Sequence, residues 1–595
     1  MKLLRLVFSV ILLASGCSSV STTHRAPAGE LGQPEGGSGL SVQAGWRGEK
    51  FAVATAHPLA SEAGMAMLKA GGSAIDAAVA AQMVLGLVEP QSSGIGGGAF
   101  LLHYDGHWTV AFDGRETAPS AAGEDLFIQA GGKPPSFHQA VVGGRAVGVP
   151  GAVRMLEMAH GEYGLLPWAA LFEPAIRLAE NGFPVGTRLH ALLKADLHLR
   201  QDPVAAAYFY DRDGQPPAVG STLRNPALAV VLRRIASHGS GALHEGEIAQ
   251  AMVDKVQQHA ANPGLLSLAD LAGYQAKRRA AYCHPYVAQQ VTVVRRYLIC
   301  GFPPPSSGAI AIAQILGMLA YTDAASLSFA DPRWMHYYSE AARLAFADRA
   351  RYVADPDFVA PPAGSWYSLI SPDYLAARAR LIGAQSMKMA VPGTPGPVRT
   401  SHSPMPEQLE HGTSHLSIVD GRGNALAMTS TIEDAFGARQ MVRGFLLNNQ
   451  LSDFSFSPTD EHGTAVANRV EPGKRPRSSM SPTLVFDQDT GELVLSGGSP
   501  GGALIIHYTA KLLYATLNWG LTPQEAIDLP NFGSLNGPTL LEEQRFSRSF
   551  VEALVARGHE VKEIGMSSGL QAIRKGVADY TGGADPRREG RVVGE

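Results

Sequence analysis

Cysteine is scarce in this sequence: three residues in 595, at positions 17, 283 and 300. Three thiols cannot build a disulfide framework, and no C-x-x-C pair offers a zinc site. Sequence alone leaves open whether Cys283 and Cys300 pair or stay as two buried thiols. Long apolar runs are also missing beyond the first residues, so no later stretch can span a bilayer as a helix. There is no surplus of positive charge. Lys and Arg number 49 against 53 Asp and Glu, a net charge of −4, which gives no general attraction to nucleic acid. Charged residues make up only 17% and hydrophobic residues 45%, which excludes global disorder and allows a sizeable core. A G-X-Y period and internal repeats are both absent, which excludes collagen and solenoids.

Glycine and proline, by contrast, are plentiful at 66 and 39, and imply many tight turns and close backbone approaches. The chain opens with Lys2 and Arg5, a short apolar run over residues 6–13, and small residues before Cys17. Residues 1–17 resemble a bacterial lipoprotein signal in which Cys17 becomes the lipidated first residue. Ala14 stands where such signals prefer Leu; an ordinary cleaved secretory signal is the alternative. Either reading exports the protein, as a periplasmic protein with a lipid anchor in the first case. Residues 18–48, rich in Ser, Gly and Pro, read as a flexible tether.

From about residue 51, apolar spacing predicts helices over 60–70, 73–87, 151–160, 167–180 and 332–353, and a hairpin over 100–104 and 108–112. Residues 386–412 carry five prolines and no periodicity, and read as a long exposed segment. From Thr413 the character changes. Strands are expected over 413–420, 425–432, 445–447, 483–486 and 493–496, then helices over 501–517, 522–529 and 547–557. The folded part therefore divides into residues 49–412 and 413–595, and its class is α+β.

Two glycine motifs imitate known sites. Residues 94–99 fit G-x-G-x-x-A, but a helix precedes them and a strand follows, the reverse of a dinucleotide site. They read as a turn. Residues 497–501 fit G-x-S-x-G, yet the residue after Ser499 is Pro500, which has no N–H for an oxyanion hole. What remains there is Gly501-Gly502 at a helix start, where two unhindered N–H groups suit an oxyanion. Lys474-Arg475-Pro476-Arg477 reads, taken alone, as a solvated basic loop. His190 with His198, and His244 with Glu245, lack metal-ligand spacing.

Gly412-Thr413-Ser414 is the informative spot. A threonine hydroxyl is a weak nucleophile without a base. If Thr413 became the first residue of a chain, its own α-amine, titrating near roughly 7.7–8.0, would serve. That requires cleavage after Gly412. On its own the tripeptide reads more simply as a turn before a strand.

The surrounding residues decide between these readings. Thr413 to Asp420 with Gly423-Asn424-Ala425 resembles the catalytic start of the γ-glutamyltranspeptidase family. The resemblance runs on through residues 445–454, 472–483 and 498–502, and in the first half through 54–58, 71–78, 94–98 and 113–119. It implies an N-terminal nucleophile hydrolase fold, a four-layer αββα sandwich. It also implies a precursor that cuts itself between Gly412 and Thr413 into a large and a small subunit that stay together. By the same resemblance, Thr413 is the nucleophile and Thr431 its hydrogen-bond partner, and Gly501 and Gly502 form the oxyanion hole. Arg115, Ser478 and Ser479 hold the α-carboxylate of a γ-glutamyl donor, and Glu433, Gln450 and Asp453 its α-ammonium. Water or an amino acid or peptide is the acceptor, with no metal or organic cofactor. Glu433 stands where many members have Asn, and residues 455–477 lack a Tyr or Trp to latch a lid, which points to a more open site. The rival readings are a glutaryl or cephalosporin acylase on the same scaffold and a non-catalytic binding lipoprotein.

Overall fold

The computed structural model describes residues 36–289, 294–397 and 401–595. The signal, Cys17 and the first part of the expected tether lie outside the described residues. No described helix is long and apolar enough to cross a membrane.

Two seven-stranded sheets, antiparallel at every pairing, form the centre. In one, Ser414–Val419 lies between Ala52–Thr55 and Ala425–Thr431, and Ala425–Thr431 pairs on to Gly98–Tyr104. In the other, Leu493–Gly498 lies between Thr483–Asp487 and Gln571–Lys575. Strands on both sides of residue 413 thus interleave in each sheet, so the two parts of the chain share one core.

Period-2 alternation shows why the sheets stack. On Gly98–Tyr104, Phe100 and Leu102 enter the apolar cluster between the sheets, while Ala99 and Leu101 enter the cluster under the helices. Ala52, Ala54, Ala111, Ala425 and Ala427 keep the inter-sheet side chains small. Phe100 stacks on Phe302 across the gap, ring centroids 4.0 Å apart. A third apolar cluster covers the outer face of the second sheet with the helices Gly308–Leu319, Pro332–Tyr352 and Ile505–Leu517. Three apolar layers between four layers of secondary structure make the αββα sandwich. Helix Ala74–Val88 is apolar on nearly all sides because it is buried between sheet and outer helices, and Ser73 and Asp76 close its start with a capping box.

Three expectations are corrected. Residues 36–48 are not free tether: Ser38 and Ser41 N–H groups donate to Arg587 and Pro586 carbonyls, and Trp46–Gly48 pairs with Tyr580–Ala584. The proline-rich stretch before residue 413 is not simply exposed. Ala390, Ser403 and Met405 are buried, and Ser403 N–H donates to Ala465 O. The basic cluster is not solvated either, since Lys474, Arg475 and Arg477 are 0%, 2% and 4% exposed. Their counter-charges come from far along the chain: Asp113 for Arg475 and Glu410 for Arg477, with the nearby Glu471 serving Lys474. Cys283 and Cys300 sit directly opposite on paired strands and form a disulfide.

Candidate active site

Thr413 immediately precedes the central strand Ser414–Val419 and is 2% exposed. The antiparallel register pairs Ser414 with Ser430, so the next step outward sets Thr413 beside Thr431. Both threonine hydroxyls donate to one acceptor, the carbonyl oxygen of Gly412; the Thr431 bond is 2.7 Å. Thr431 Oγ1 in turn accepts the Glu433 N–H at 2.7 Å. Arg588 Nη1 donates to Thr413 O at 3.4 Å, and Ser414 Oγ to Glu89 at 3.0 Å.

The glycine run at residues 94–98 is explained by this neighbourhood. A Cβ on Gly97 would lie 2.0 Å from Thr431 O, and one on Gly98 2.3 Å from Glu116. The run is a close-approach turn, as expected, and the strand begins at Gly98. Gly501 and Gly502 have φ of 135° and 55° and start a short 3-10 turn that leads into Ile505–Leu517. A Cβ on Gly502 would fall 1.9 Å from Glu410 O, so the backbone before the Gly412–Thr413 bond lies against the expected oxyanion donors. Ser499 is engaged locally: its hydroxyl donates to Pro500 O at 2.8 Å and accepts Gly569 N–H at 3.3 Å.

The expected donor-binding residues also converge. Arg115, fully buried, pairs with Asp453 through Nη2 and donates to the Pro476 and Arg477 carbonyls at 3.2 Å each. Gln450 donates to Asp453 at 2.8 Å. Arg115 Nη1, Asp453 Oδ1 and Gln450 Oε1 are buried without a hydrogen-bond partner in this state. Glu433 adopts φ 77° and accepts from His411 N–H at 3.1 Å, from Ser452 Oγ at 3.1 Å and from Asn449. Burial, then the charges of Asp453 and Asp434, push the Glu433 carboxyl well above the usual range. Burial raises Asp453 as well, against the pull of Arg115. Ser478 and Ser479 divide: Ser478 Oγ accepts Met480 N–H at 3.1 Å, whereas Ser479 Oγ donates to the Glu410 carboxylate at 2.6 Å.

Sequence reasoning missed Glu410 and Arg349. Glu410 lies three residues before Thr413, and Arg349 Nη2 donates to it at 2.6 Å. An acid close to the cut was the one available signal; nothing in the spacing of a helix marks Arg349. One further group was missed. His336, Glu340 and His559 bring potential metal ligands within 4.8 Å of one another. Here they form a closed hydrogen-bond network: His336 Nδ1 meets His559 Nε2 at 2.7 Å, and both Glu340 oxygens are taken, by Arg343 and Met387 N–H.

The sequence model described as Gamma-glutamyltranspeptidase matches residues 60–595. The chain belongs to the γ-glutamyltranspeptidase family. Within its reach are the glutathione hydrolase proenzyme of Bacillus subtilis (strain 168), 35% identical over 92% of each chain, and that of Escherichia coli (strain K12), 34% identical over 98% and 97%. Among solved structures, the cephalosporin acylase from Bacillus halodurans superposes with a TM-score of 0.78 at 28% identity, covering 93% of this chain and 97% of its own. Both γ-glutamyltranspeptidase relatives and an acylase therefore share the sandwich, and the side chains around Thr413 must decide between their chemistries.

Proposed function

We propose that this protein is a self-processing γ-glutamyl hydrolase or transferase, acting on glutathione and related γ-glutamyl compounds through an ester on Thr413. The observation that carries the reading is the convergence of the Thr413 and Thr431 hydroxyls on the Gly412 carbonyl. In the first step Thr413 Oγ1 attacks the Gly412 carbonyl carbon, and the Gly412–Thr413 C–N bond breaks. The hydroxyl proton passes to the departing nitrogen. Water then hydrolyses the ester, leaving a Gly412 carboxylate and a free Thr413 α-amine. The proenzyme names of the relatives agree with such a step. Residues 49–412 and 413–595 then remain together, because each sheet contains strands from both.

In the second stage the α-amine takes the hydroxyl proton as Thr413 attacks the γ-carbonyl of a donor. Gly501 and Gly502 N–H groups stabilise the oxyanion. The amine leaves with the proton, and water or an acceptor amine resolves the ester. The buried acids Asp453 and Glu433, with Gln450, favour a donor with an α-ammonium. A glutaryl group lacks that ammonium and would leave these acids unpaired. On this ground the acylase reading is second. Export through the N-terminal signal, anchored at Cys17, is part of the proposal.

The test is a donor screen on the purified protein. Turnover of γ-glutamyl-anilide well above glutaryl-anilide is expected. The reverse preference would make the chain an acylase, and no turnover of either by cleaved protein would support a binding protein.

A further inference from the structure

Thr413 stands one residue outside the ladders that hold its strand. Pairing with Ala425–Thr431 begins at Ser414, and pairing with Ala52–Thr55 begins only at Leu416. The carbonyl oxygen of Thr413 is met instead by a side chain, Arg588 Nη1 at 3.4 Å. Arg588 is buried and fixed from several sides. Its Nη2 donates to Ser567 O at 3.2 Å, and its backbone N–H to Asp585 O at 3.2 Å. A Cβ on Gly569 would lie 2.8 Å from Arg588 Cδ, so that turn packs on the side-chain stem. Both partners lie in residues 413–595, so cleavage after Gly412 leaves their contact within one chain.

Cleavage changes what Thr413 needs. The bond to Gly412 fixes it beforehand; afterwards it is a chain end, and chain ends are poorly ordered unless tied down. Its new α-amine must also be unprotonated to act as the base. Standard bond lengths keep the N and O of one residue within about 3.6 Å, so the amine lies within about 7 Å of Arg588 Nη1. Burial draws the Arg588 guanidinium down from its ordinary value, against Glu89 and Asp585, but it stays charged at neutral pH. A cation so close disfavours an ammonium. The other charged groups around Thr413 are paired, neutral or on the segment before the cut. Glu89, at the end of helix Ala74–Val88, accepts Arg188 Nη1 at 2.6 Å and the Ser414 hydroxyl, and burial pushes it up to about 7. Past Thr431, burial raises Glu433, and Asp434 is paired with Arg439. Asp453, beyond Glu433, is paired with Arg115. His415, on the strand of Thr413 itself, is kept neutral by burial, which lowers it to about 3. Glu410 and His411 precede the cut, and Glu410 is paired with Arg349.

We infer that Arg588 positions the nucleophile of the processed enzyme: it ties down the carbonyl of the terminal Thr413, and its charge keeps the α-amine in the free-base form that accepts the hydroxyl proton. It acts through Thr413 and not on the donor. The inference rests on the self-processing γ-glutamyl reading of the site.

The test is kcat for γ-glutamyl-anilide hydrolysis against pH, measured on processed enzyme at saturating donor. In the donor complex the acids facing the α-ammonium are already engaged, so the acid limb of kcat reports the α-amine. Arg588→Met should lower the plateau kcat about tenfold or more with KM within about twofold of wild type. Its acid limb should move up by about half a pH unit or more, which lost packing alone would not cause. Arg588→Lys keeps the charge and loses the fork, so its limb should stay at the wild-type position while part of the kcat loss remains. If Arg588→Met does not mature, Arg588→Gln, neutral but still able to donate to Thr413 O, should show the same limb shift. An acid limb at the wild-type position in a mature neutral variant would overturn the inference, as would an equal shift in Arg588→Lys. Wild-type protein that stays uncut or ignores γ-glutamyl donors would overturn the functional reading instead, so the two failures are distinguishable.

Discussion

Thr413 and Thr431, eighteen residues apart in sequence, present their hydroxyls to the same oxygen, the carbonyl of Gly412. Antiparallel register brings them together, since Ser414 pairs with Ser430 and the next pair outward is Thr413 with Thr431. The arrangement polarises one peptide bond, the bond whose cleavage would turn Thr413 into an N-terminal residue.

Replacing Thr413 by Ala should therefore leave one continuous chain and reduce γ-glutamyl-anilide turnover at least about a thousandfold. Electrophoresis and an anilide assay check both outcomes. Thr431→Val should slow cleavage by a smaller factor, because the nucleophile remains and only the shared polarisation is lost. Cleavage of Thr431→Val at the wild-type rate would remove that residue from the step.

Glu410 anchors the segment before the bond through Arg349 and Ser479. Glu410→Ala frees that segment and leaves two buried cations unpaired. Processing should slow by about tenfold or more as the Gly412 carbonyl loses its fixed position. A time course of chain cleavage gives the rate; an unchanged half-time would show that the anchor does not matter.

The acids expected on the α-ammonium hold their protons above the ordinary carboxylate range, Glu433 because of burial, Asp453 and Asp434, and Asp453 because of burial. An ammonium pairs with the ionised form, so binding releases a proton wherever the free site still holds one. Affinity for L-glutamate should rise as pH rises above the ordinary carboxylate range, by up to about tenfold per unit for each proton released, until the free site has lost those protons. Glu433→Gln removes one such proton and should flatten the slope and weaken binding at pH 7. Inhibition constants measured across that range give the slope; parallel wild-type and variant curves would assign the proton elsewhere.

The disulfide between Cys283 and Cys300 joins neighbouring strands with 17 residues of separation. Loop-closure entropy gives about 3 kcal/mol for such a link. The double variant with Ser at both positions should lose about 2–4 kcal/mol of unfolding free energy in a denaturant titration. Its kcat/KM should stay near wild type, because neither cysteine touches the candidate site.

Much of the site was legible because its signals are local. The strand expected over 413–420 is the central one, observed as Ser414–Val419, and Pro500 excluded Ser499 as an elbow nucleophile through one missing N–H. The glycines at 501 and 502 stood at the predicted helix start, and the family resemblance ordered the donor-binding residues. What could not be read depends on partners distant in sequence. Arg475 and Arg477 read as solvated because their carboxylates, Asp113 and Glu410, lie far along the chain. The proline-rich segment read as exposed because its partners are scattered: Gln408 reaches Phe454 O at 2.9 Å, and Met405 N–H reaches Ala350 O at 2.9 Å. Trp46 joined the tether in sequence because the strand it pairs with begins at Tyr580.

Processing at Gly412–Thr413 is the claim on which the rest depends. N-terminal sequencing of the chains separated from purified, fully active protein tests it most directly. Two chains are expected, the smaller beginning Thr-Ser-His-Leu and ending at residue 595. Full activity in a single uncut chain, or a small chain beginning anywhere but Thr413, would contradict the account.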